Sequence, residues 1–318
     1  MAPHEDDDTQ PLKVMRSEPG GGPRRPYSSP LLVDSAGLSH RGRVRSDNQD
    51  HYLVARVGRS LDTLITSLPD GEVPNRFDET GYVMMVADGM GGAAAGEVAS
   101  RMAISTLVNI FLDIPDWIMK LDDAGAEELM HRAVGYYRKV DEALTERAEA
   151  EPELSGMGTT MTVAYSIGRN LFVAHAGDSR AYLFRNGRLE QITRDHTHVQ
   201  MMVDAGTITH EEAATHRLRH VLTNVLGGNA ELTDVDIDRL ALADRDRLLL
   251  CTDGLTEVVG DDEIAEILGR AKAPEIACRS LVDLALERGG PDNITIVAAR
   301  FSLEPSSGDS GKVDGQET

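Results

Sequence analysis

Aspartates at the ends of short apolar stretches are the residues of this sequence with the clearest chemical potential. Five share this placement: Asp50, Asp88, Asp178, Asp253 and Asp292. Glycines adjoin three of them, and a glycine lets the backbone approach a ligand closely. If the stretches are strands that end at one edge of a sheet, the carboxylates converge. Converging like charges are costly unless a cation neutralises them, so the pattern predicts a cation site.

The donor atoms of this pattern indicate which cation it would hold. Carboxylates and a backbone carbonyl at Gly89 form an oxygen-only set, which suits Mg²⁺ or Mn²⁺. Zinc prefers cysteine or histidine. Cys251 and Cys278 fall within apolar segments and are interpreted as buried small side chains. A histidine site remains an alternative, because four histidines lie close together in the sequence: His196, His198, His216 and His220.

A competing interpretation uses the glycines after Asp88. Residues 89–94 match the G-x-G-x-x-G/A pattern of dinucleotide-binding loops. Asp88 would direct a negative charge towards a pyrophosphate, and no second strand ending in an acid follows at the usual distance. The sequence also contains no phosphate-binding P-loop motif and no G-x-S-x-G nucleophile motif. The pattern therefore favours a metal site over a nucleotide oxidoreductase.

The elements that must position these residues are short strands and amphipathic helices. Strands are predicted at residues 51–57, 82–87, 160–166, 171–175, 181–185, 189–193, 247–252 and 293–301. Helices are predicted at residues 97–111, 126–150, 263–268 and 275–287, with a short one after the capping box of Thr209 and Glu212. Asn186-Gly187 predicts a tight hairpin. The order of the elements favours an α+β layered domain with antiparallel sheets.

Composition excludes several classes of protein. The 318 residues carry a net charge of −21, which argues against a nucleic-acid partner. No apolar run approaches membrane-spanning length, and the acidic start does not resemble a signal peptide. Two cysteines exclude a disulfide framework and favour the reducing cytoplasm. Residues 1–36 and 303–318 are predicted to be disordered tails around a domain at residues 37–302.

Seven short motifs occur in a recognisable order between residues 38 and 300. They are Gly42-x-Val44-Arg45-x-x-Asn48-Gln49-Asp50, Val86-Ala87-Asp88-Gly89-Met90-Gly91-Gly92, Gly158-Thr159-Thr160, Gly177-Asp178-Ser179-Arg180, Leu222-Thr223-x-x-Leu226-Gly227, Thr252-Asp253-Gly254 and Asp292-Asn293. This series resembles the metal-dependent protein phosphatases of the type 2C (PPM) family, in particular the bacterial serine/threonine phosphatases. The resemblance implies a four-layer αββα sandwich of two antiparallel β-sheets flanked by helices.

The resemblance also implies an activity and a set of roles. The activity is hydrolysis of phosphoserine and phosphothreonine on proteins by a water that bridges two Mn²⁺ or Mg²⁺ ions, with a weaker third ion. The implied metal ligands are Asp50, Asp88, Gly89, Asp178, Asp253 and Asp292. Asp88 bridges the two principal ions, Asp178 and Asp253 hold the third, and Arg45 binds the phosphate. Residues 193–224 correspond to a flap beside the cleft. The implied partners are phosphorylated proteins, namely serine/threonine kinases or their substrates, without nucleic acid or membrane.

The sequence departs from the family pattern in three places. Gln49 stands where many members have a glutamate that binds the second metal. Met90 stands where animal members have a histidine proposed as general acid. Residues 58–80 are longer than the connection in compact bacterial members and are interpreted as a solvated loop insertion. Because of Gln49, a pseudophosphatase that binds phosphoproteins without turnover is the alternative function.

Overall fold

The computed structural model describes residues 31–303, except residue 70, residues 114–122, residues 229–231 and residue 233. The strands are β1 Leu31–His40, β2 Asp50–Asp62, β3 Arg76–Met90, β4 Gly158–Thr159, β5 Met161–Ile167, β6 Asn170–Ala176, β7 Arg180–Arg185, β8 Arg188–Gln191, β9 Leu226–Gly227, β10 Asp236–Ala241, β11 Arg247–Cys251 and β12 Ile294–Leu303. The helices are α1 Ala93–Asp113, α2 Asp123–Ala150, α3 His198–Asp204, α4 His210–Ala214, α5 Asp253–Thr256, α6 Asp261–Arg270 and α7 Pro274–Glu287.

The strands form two antiparallel sheets. One has the order β1-β12-β11-β7-β8. The other has the order β10-β6-β5-β3-β4-β9, and β2 also pairs with β3. Asn186 and Gly187 both have positive φ angles and form the tight turn between β7 and β8, as the Asn-Gly pair predicts.

Three apolar layers hold the sheets and helices together. Between the sheets, Met84 and Val86 of one pack with Leu248, Leu250 and Phe301 of the other. The outer face of the larger sheet is covered by α1 and α2, and that of the smaller sheet by α6 and α7. The arrangement is the predicted αββα sandwich. Among the described helices, none is both long and apolar enough to cross a bilayer.

The amino-terminal boundary of the domain differs from the sequence prediction. Strand β1 begins at Leu31 and pairs along its whole length with β12, so residues 31–36 belong to the sheet rather than to the tail predicted at residues 1–36. Leu31 lies in the layer between the sheets. The last strand ends at Leu303, one residue beyond the predicted domain end. Residues 1–30 and 304–318 lie outside the described residues.

The segment at residues 58–80 is only partly a loop. Strands β2 and β3 continue their pairing from Gly58–Thr80 out to Asp62–Arg76, so the two strands form a long β-ribbon. Residues 63–75 connect them, and Leu64 and Ile65 are exposed there. The prediction of a solvated loop missed the strand residues at both ends of this segment. The ribbon is held by backbone pairing, which the polar side chains of the segment do not reveal.

Candidate active site

Asp50 and Asp88 lie opposite each other where β2 begins and β3 ends. Asp50 is buried, and its Oδ2 accepts a 2.8 Å hydrogen bond from the Thr252 hydroxyl of the other sheet. Thr252 is in turn tied to β12, since its backbone N–H donates to the Thr295 carbonyl at 3.0 Å. Asp50 is therefore fixed to both sheets, and Asp88 lies opposite it in the larger sheet.

Asp253 and Asp292 come from the second sheet. Asp253 begins α5 immediately after β11, and Asp292 precedes β12, the antiparallel neighbour of β11. Gly254 packs so tightly against this turn that a Cβ there would lie 1.9 Å from the Asn293 carbonyl oxygen. The strand ends and the close approach at Gly254 bring these two carboxylates to the same edge as Asp50 and Asp88.

The charges of all five predicted aspartates act on one another. Burial raises the pKa of Asp88 well above its usual range, and the charges of the other four raise it further. The pKa of Asp253 is raised well above its usual range by burial and then by Asp178 and Glu257. The sequence prediction that these side chains converge is thus met by the structure, and we call this cluster the acidic end of the sandwich.

Asp50 and Asp178 are perturbed for the same reason. Burial raises the pKa of Asp50 to about 6, and the charge of Asp292 adds to this, although the hydrogen bond from Thr252 opposes it. Burial and the charge of Asp195 raise the pKa of Asp178 to about 7, against the opposing charge of Arg180. Asp195 was not among the predicted residues; it accepts three hydrogen bonds from Arg180.

Two oxygens of the cluster are buried without a hydrogen-bond partner among the described residues. They are Asp50 Oδ1 and Asp253 Oδ1. A buried carboxylate oxygen without a donor is costly, and a metal ion is one of the few groups that would compensate it. Hard divalent cations take oxygen ligands of this kind, so the residues present fit Mg²⁺ or Mn²⁺.

Arg45 lies beside the carboxylates on the segment between β1 and β2. Its Nη2 is 2.6 Å from Asp292 Oδ2, and its side chain is 54% exposed. Asn293 holds the segment in place, because its amide donates to the Arg41 and Asp47 carbonyls at 2.9 and 2.8 Å. The same side chain accepts from the Gln49 backbone N–H at 2.8 Å. Asn293 thus positions Arg45 at the edge of the cluster.

The Gly158-Thr159-Thr160 motif holds the backbone of Asp88. Thr160 donates its backbone N–H to the Asp88 carbonyl at 2.9 Å, and its hydroxyl accepts from the Asp88 N–H at 3.1 Å. The Thr159 hydroxyl donates to the same carbonyl at 2.8 Å. The motif was recognised in the sequence, but its role depends on β4 lying beside β3, a contact between residues about 70 positions apart.

The surroundings of three further predicted residues differ: Gly89, Gln49 and Met90. A Cβ on Gly89 would lie 2.0 Å from the Gly96 carbonyl oxygen, so helix α1 requires glycine at this position. The side-chain oxygen of Gln49 points to the same helix and would lie 2.2 Å from a Cβ on Gly96. Met90 is 38% exposed at the end of β3. Its thioether has no titratable proton and cannot serve as a general acid.

Residues 193–224, which we call the flap segment, contain α3 and α4 and are closed by a bridge between Thr197 and Leu222. His196 has a structural role, since its Nδ1 accepts from the Gly177 N–H at 3.2 Å and its Nε2 lies 3.1 Å from Asp236. Helix α4 ends at Ala214, so His216 and His220 do not share a helix face.

His220 instead contacts Glu257, which was not among the predicted site residues. Glu257 lies four positions after Asp253, one helical turn along, and this spacing is the only sign of it in the sequence. The two cysteines are buried, as predicted, and burial raises the pKa of Cys251 to about 12.

Comparison with known proteins assigns the chain to a family. Residues 75–280 match the family described as Protein phosphatase 2C. The chain is 40% identical over 272 residues to the serine/threonine protein phosphatase PstP of Mycobacterium tuberculosis, covering 85% of this chain and 45% of that protein. It is 32% identical over 263 residues to the serine/threonine phosphatase stp of Listeria monocytogenes, covering 83% and 94%. The chain belongs to the protein phosphatase 2C family.

Solved structures agree with this assignment. A crystal structure of the catalytic domain of PstP in complex with two manganese ions superposes with a TM-score of 0.66 at 34% identity. The match covers 86% of this chain and the whole of that domain. The two-sheet sandwich with flanking helices is therefore the fold of the family. The chain spans less than half the length of the full PstP protein.

Proposed function

We propose that the chain is a metal-dependent protein serine/threonine phosphatase, which hydrolyses phosphoserine and phosphothreonine on proteins. One observation carries the proposal. Five aspartates from both sheets converge at one end of the sandwich, and two of their buried oxygens have no hydrogen-bond partner among the described residues. Family membership and the two manganese ions of PstP support the same conclusion.

The residues that would hold the ions follow from the cluster. Asp88 lies at its centre and is assigned the bridging role, with Asp50, Asp253, Asp292 and the Gly89 carbonyl as further ligands. When bound, two divalent ions supply a water that is deprotonated near neutral pH and held in line with phosphorus. Either Mn²⁺ or Mg²⁺ suits these ligands. A weaker third ion would take Asp178 with Asp253, whose charges act strongly on each other.

Arg45 is assigned to the phosphate. Its guanidinium is half exposed, and its 2.6 Å contact with Asp292 keeps it at the edge of the cluster. A planar guanidinium can donate two parallel hydrogen bonds to phosphoryl oxygens. Arg45→Lys keeps the charge but loses that geometry, so it should raise KM more than it lowers kcat.

The partners are phosphorylated proteins, including serine/threonine kinases and their substrates. The net charge of −21 disfavours nucleic acid. Two buried free cysteines agree with a cytoplasmic location, where thiols stay reduced. Asp88, Asp253, Asp292 and Arg45 are all present, which favours turnover over the pseudophosphatase alternative, and Gln49 is the one departure that argues the other way.

The test is hydrolysis of p-nitrophenyl phosphate and of a phosphothreonine peptide with Mn²⁺, with Mg²⁺ and with EDTA. We expect activity with either ion and none in EDTA, and Asp253→Asn serves as the inactive control. A matched phosphotyrosine peptide should be a poor substrate. Metal binding without turnover on any substrate would establish the pseudophosphatase instead.

A further inference from the structure

A cleft with basic walls lies at the opposite end of strand β11 from Asp253. It has a volume of about 250 Å³ and lies between the smaller sheet and the connection from α6 to α7. Three basic side chains line it, Arg247, Lys272 and Arg300, and none of the described residues around it is acidic. We call it the basic cleft. Because β11 spans about 14 Å between its first and last residues, the basic cleft is separate from the acidic end.

The two arginines of the basic cleft face each other across neighbouring strands. Arg247 of β11 is paired directly with Arg300 of β12. Alternation along the strands places both on the side where Leu249 and Ala298 pack against α6 and α7. Like charges directly opposite each other in an antiparallel pair are destabilising. In a chain with a net charge of −21, such a pair indicates a place for an anion.

Arg300 is held by other parts of the structure. Its Nη1 donates to the Lys272 carbonyl at 3.0 Å, and its Nη2 lies 3.5 Å from Asp34 Oδ2 of β1. These contacts fix the connection between α6 and α7. The Nε of Arg300 is nevertheless buried without a hydrogen-bond partner among the described residues. A buried donor of this kind is costly, and an acceptor in the basic cleft would compensate it.

Arg247 has no counter-charge in the part of the chain that the structure describes. Its guanidinium carbon lies 5.9 Å from the centre of the Phe184 ring, which supports the side chain without neutralising it. Burial lowers the pKa of Arg247, and the charge of Arg300 lowers it further. Its guanidinium is therefore the group of the basic cleft that lacks an acceptor.

The start of helix α7 adds positive potential to the same place. Pro274 is its first residue, and Ala273 before it makes no side-chain hydrogen bond to the first turn. A helix of 14 residues carries partial positive charge at its first N–H groups. The acid of this turn, Glu275, is exposed and pairs with Arg279 at 3.0 Å. The basic cleft thus combines three cations with the amino-terminal end of a helix.

We propose that the basic cleft binds a phosphoryl dianion, supplied as inorganic phosphate or as a phosphorylated side chain of a protein. Planar guanidinium groups donate paired hydrogen bonds to phosphoryl oxygens, and helix N-termini bind phosphate through their N–H groups. Arg247 supplies the guanidinium without a counter-charge, and Lys272 adds an exposed charge at the rim. A dianion also offsets the repulsion between Arg247 and Arg300. The site is distinct from Arg45, which lies at the acidic end.

The first measurement locates the bound anion. Sodium phosphate is titrated into the isotope-labelled full chain in Mg²⁺, with sodium chloride at equal ionic strength as the reference, and backbone amide NMR shifts are followed. We expect saturable shifts at Glu275, Ile276 and Ala277, separate from any shifts at the acidic end. No shift at the start of α7, or a shift that sodium chloride reproduces, would overturn the proposal.

Variants test which side chains bind the anion. Arg247→Gln and Lys272→Gln should each weaken phosphate binding at the start of α7 about tenfold, because each removes a charged donor. Lys272 is exposed, so its variant tests the site even if Arg247→Gln unfolds the protein. Arg101→Gln, at an exposed arginine of α1 on the opposite face of the sandwich, is the charge-matched control and should bind as the parent does. Parental affinity in the folded cleft variants, or equal weakening in Arg101→Gln, would overturn the proposal.

A peptide distinguishes the two sources of the phosphoryl group. A non-hydrolysable phosphonate analogue of a phosphothreonine peptide is titrated in the same way, with the unphosphorylated peptide as control. Tighter binding than that of inorganic phosphate assigns the basic cleft to phosphorylated proteins, and equal or weaker binding assigns it to free phosphate. Equally tight binding of the unphosphorylated peptide would overturn the proposal. None of these measurements requires turnover, so they test the basic cleft even if the proposed phosphatase activity is absent.

Discussion

The two ends of strand β11 carry aspartates in opposite situations. Asp246 lies just before the strand and is 1% exposed. Arg185 donates to both of its oxygens, at 2.8 and 2.6 Å, and the Ala243 N–H donates at 2.7 Å. Asp253 lies just after the strand, among four other aspartates, with one oxygen buried and unpartnered in the part of the chain that the structure describes.

The difference separates a structural acid from a binding acid. A buried carboxylate with a full set of donors stabilises the fold, because removing it leaves its donors without a partner. A buried carboxylate among like charges destabilises the metal-free fold and makes sense only if a ligand compensates it. The same residue type on the same strand thus has opposite energetic roles at its two ends.

The largest effect should come from neutralising the binding end. Asp253→Asn should lower phosphatase activity by about 10³-fold or more, because several kcal/mol of charge stabilisation depends on the ions. The metal-free protein should be as stable as the parent or more stable, since a repelling charge is removed. Activity with Mn²⁺ and urea unfolding in EDTA measure the two effects. Near-parental activity would contradict the metal assignment.

The structural end should behave in the reverse way. Asp246→Asn should destabilise the fold by about 2–4 kcal/mol, because it breaks the paired contact with Arg185 and weakens the bond to Ala243. The Mn²⁺ requirement of the remaining folded protein should not change. Urea unfolding and a Mn²⁺ titration of activity test this, and a loss of metal affinity without loss of stability would erase the distinction between the two ends.

The pH dependence of stability should expose the unpaired acids. The pKa values of Asp50 and Asp178 in the folded chain are about 6 and about 7, above those of an unfolded chain. Between pH 4 and 7 the folded state therefore keeps protons that the unfolded state releases, and the free energy of unfolding of the metal-free chain falls by several kcal/mol as pH rises. Below pH 4 these carboxyl groups are protonated in both states, so they no longer make the free energy of unfolding depend on pH.

This prediction is checked by urea unfolding in EDTA from pH 5 to pH 7.5. Asp50→Asn should flatten the fall relative to the parent, whereas millimolar Mn²⁺ should stabilise the protein most at the upper end of the range. A parent protein whose metal-free stability rises steadily with pH would show that the acids are already compensated.

The smallest effect is expected at Gln49. Its side-chain oxygen lies against Gly96 of α1, and its backbone is held by Asn293. Gln49→Glu should therefore change the Mn²⁺ concentration for half-maximal activity by less than threefold. The measurement is a Mn²⁺ titration of both proteins. A tenfold drop in the required Mn²⁺ would show that Gln49 weakens the second metal site.

How much the sequence predicts depends on where a residue lies in the sheets. Central strands such as β11 are continuous apolar runs, so their ends, and with them Asp253, were located from the pattern alone. Strands β1 and β10 were missed. Both are edge strands, and β10 mixes charged and apolar residues without a regular alternation, Asp-Ile-Asp-Arg-Leu-Ala, so neither gives a strong local signal.

Prediction of the site from the sequence was likewise limited to residues with a local signal. Asp50, Asp88, Asp178, Asp253 and Asp292 were predicted because each adjoins a strand and a recognisable motif. His220 and Glu257 were not assigned together, because their contact joins residues 37 positions apart and depends on how the flap segment folds back. Local patterns locate the ends of strands, and only tertiary structure shows which side chains meet.

Equilibrium binding of Mn²⁺, followed by the electron paramagnetic resonance of the free ion, shows whether the five aspartates hold metal. We expect at least two ions bound per chain in the parent, the same number in Arg185→Gln at the structural end, and the loss of at least one ion in Asp253→Asn. A parent chain that binds no Mn²⁺ at millimolar concentration, or an Asp253→Asn chain that binds as the parent does, would contradict it.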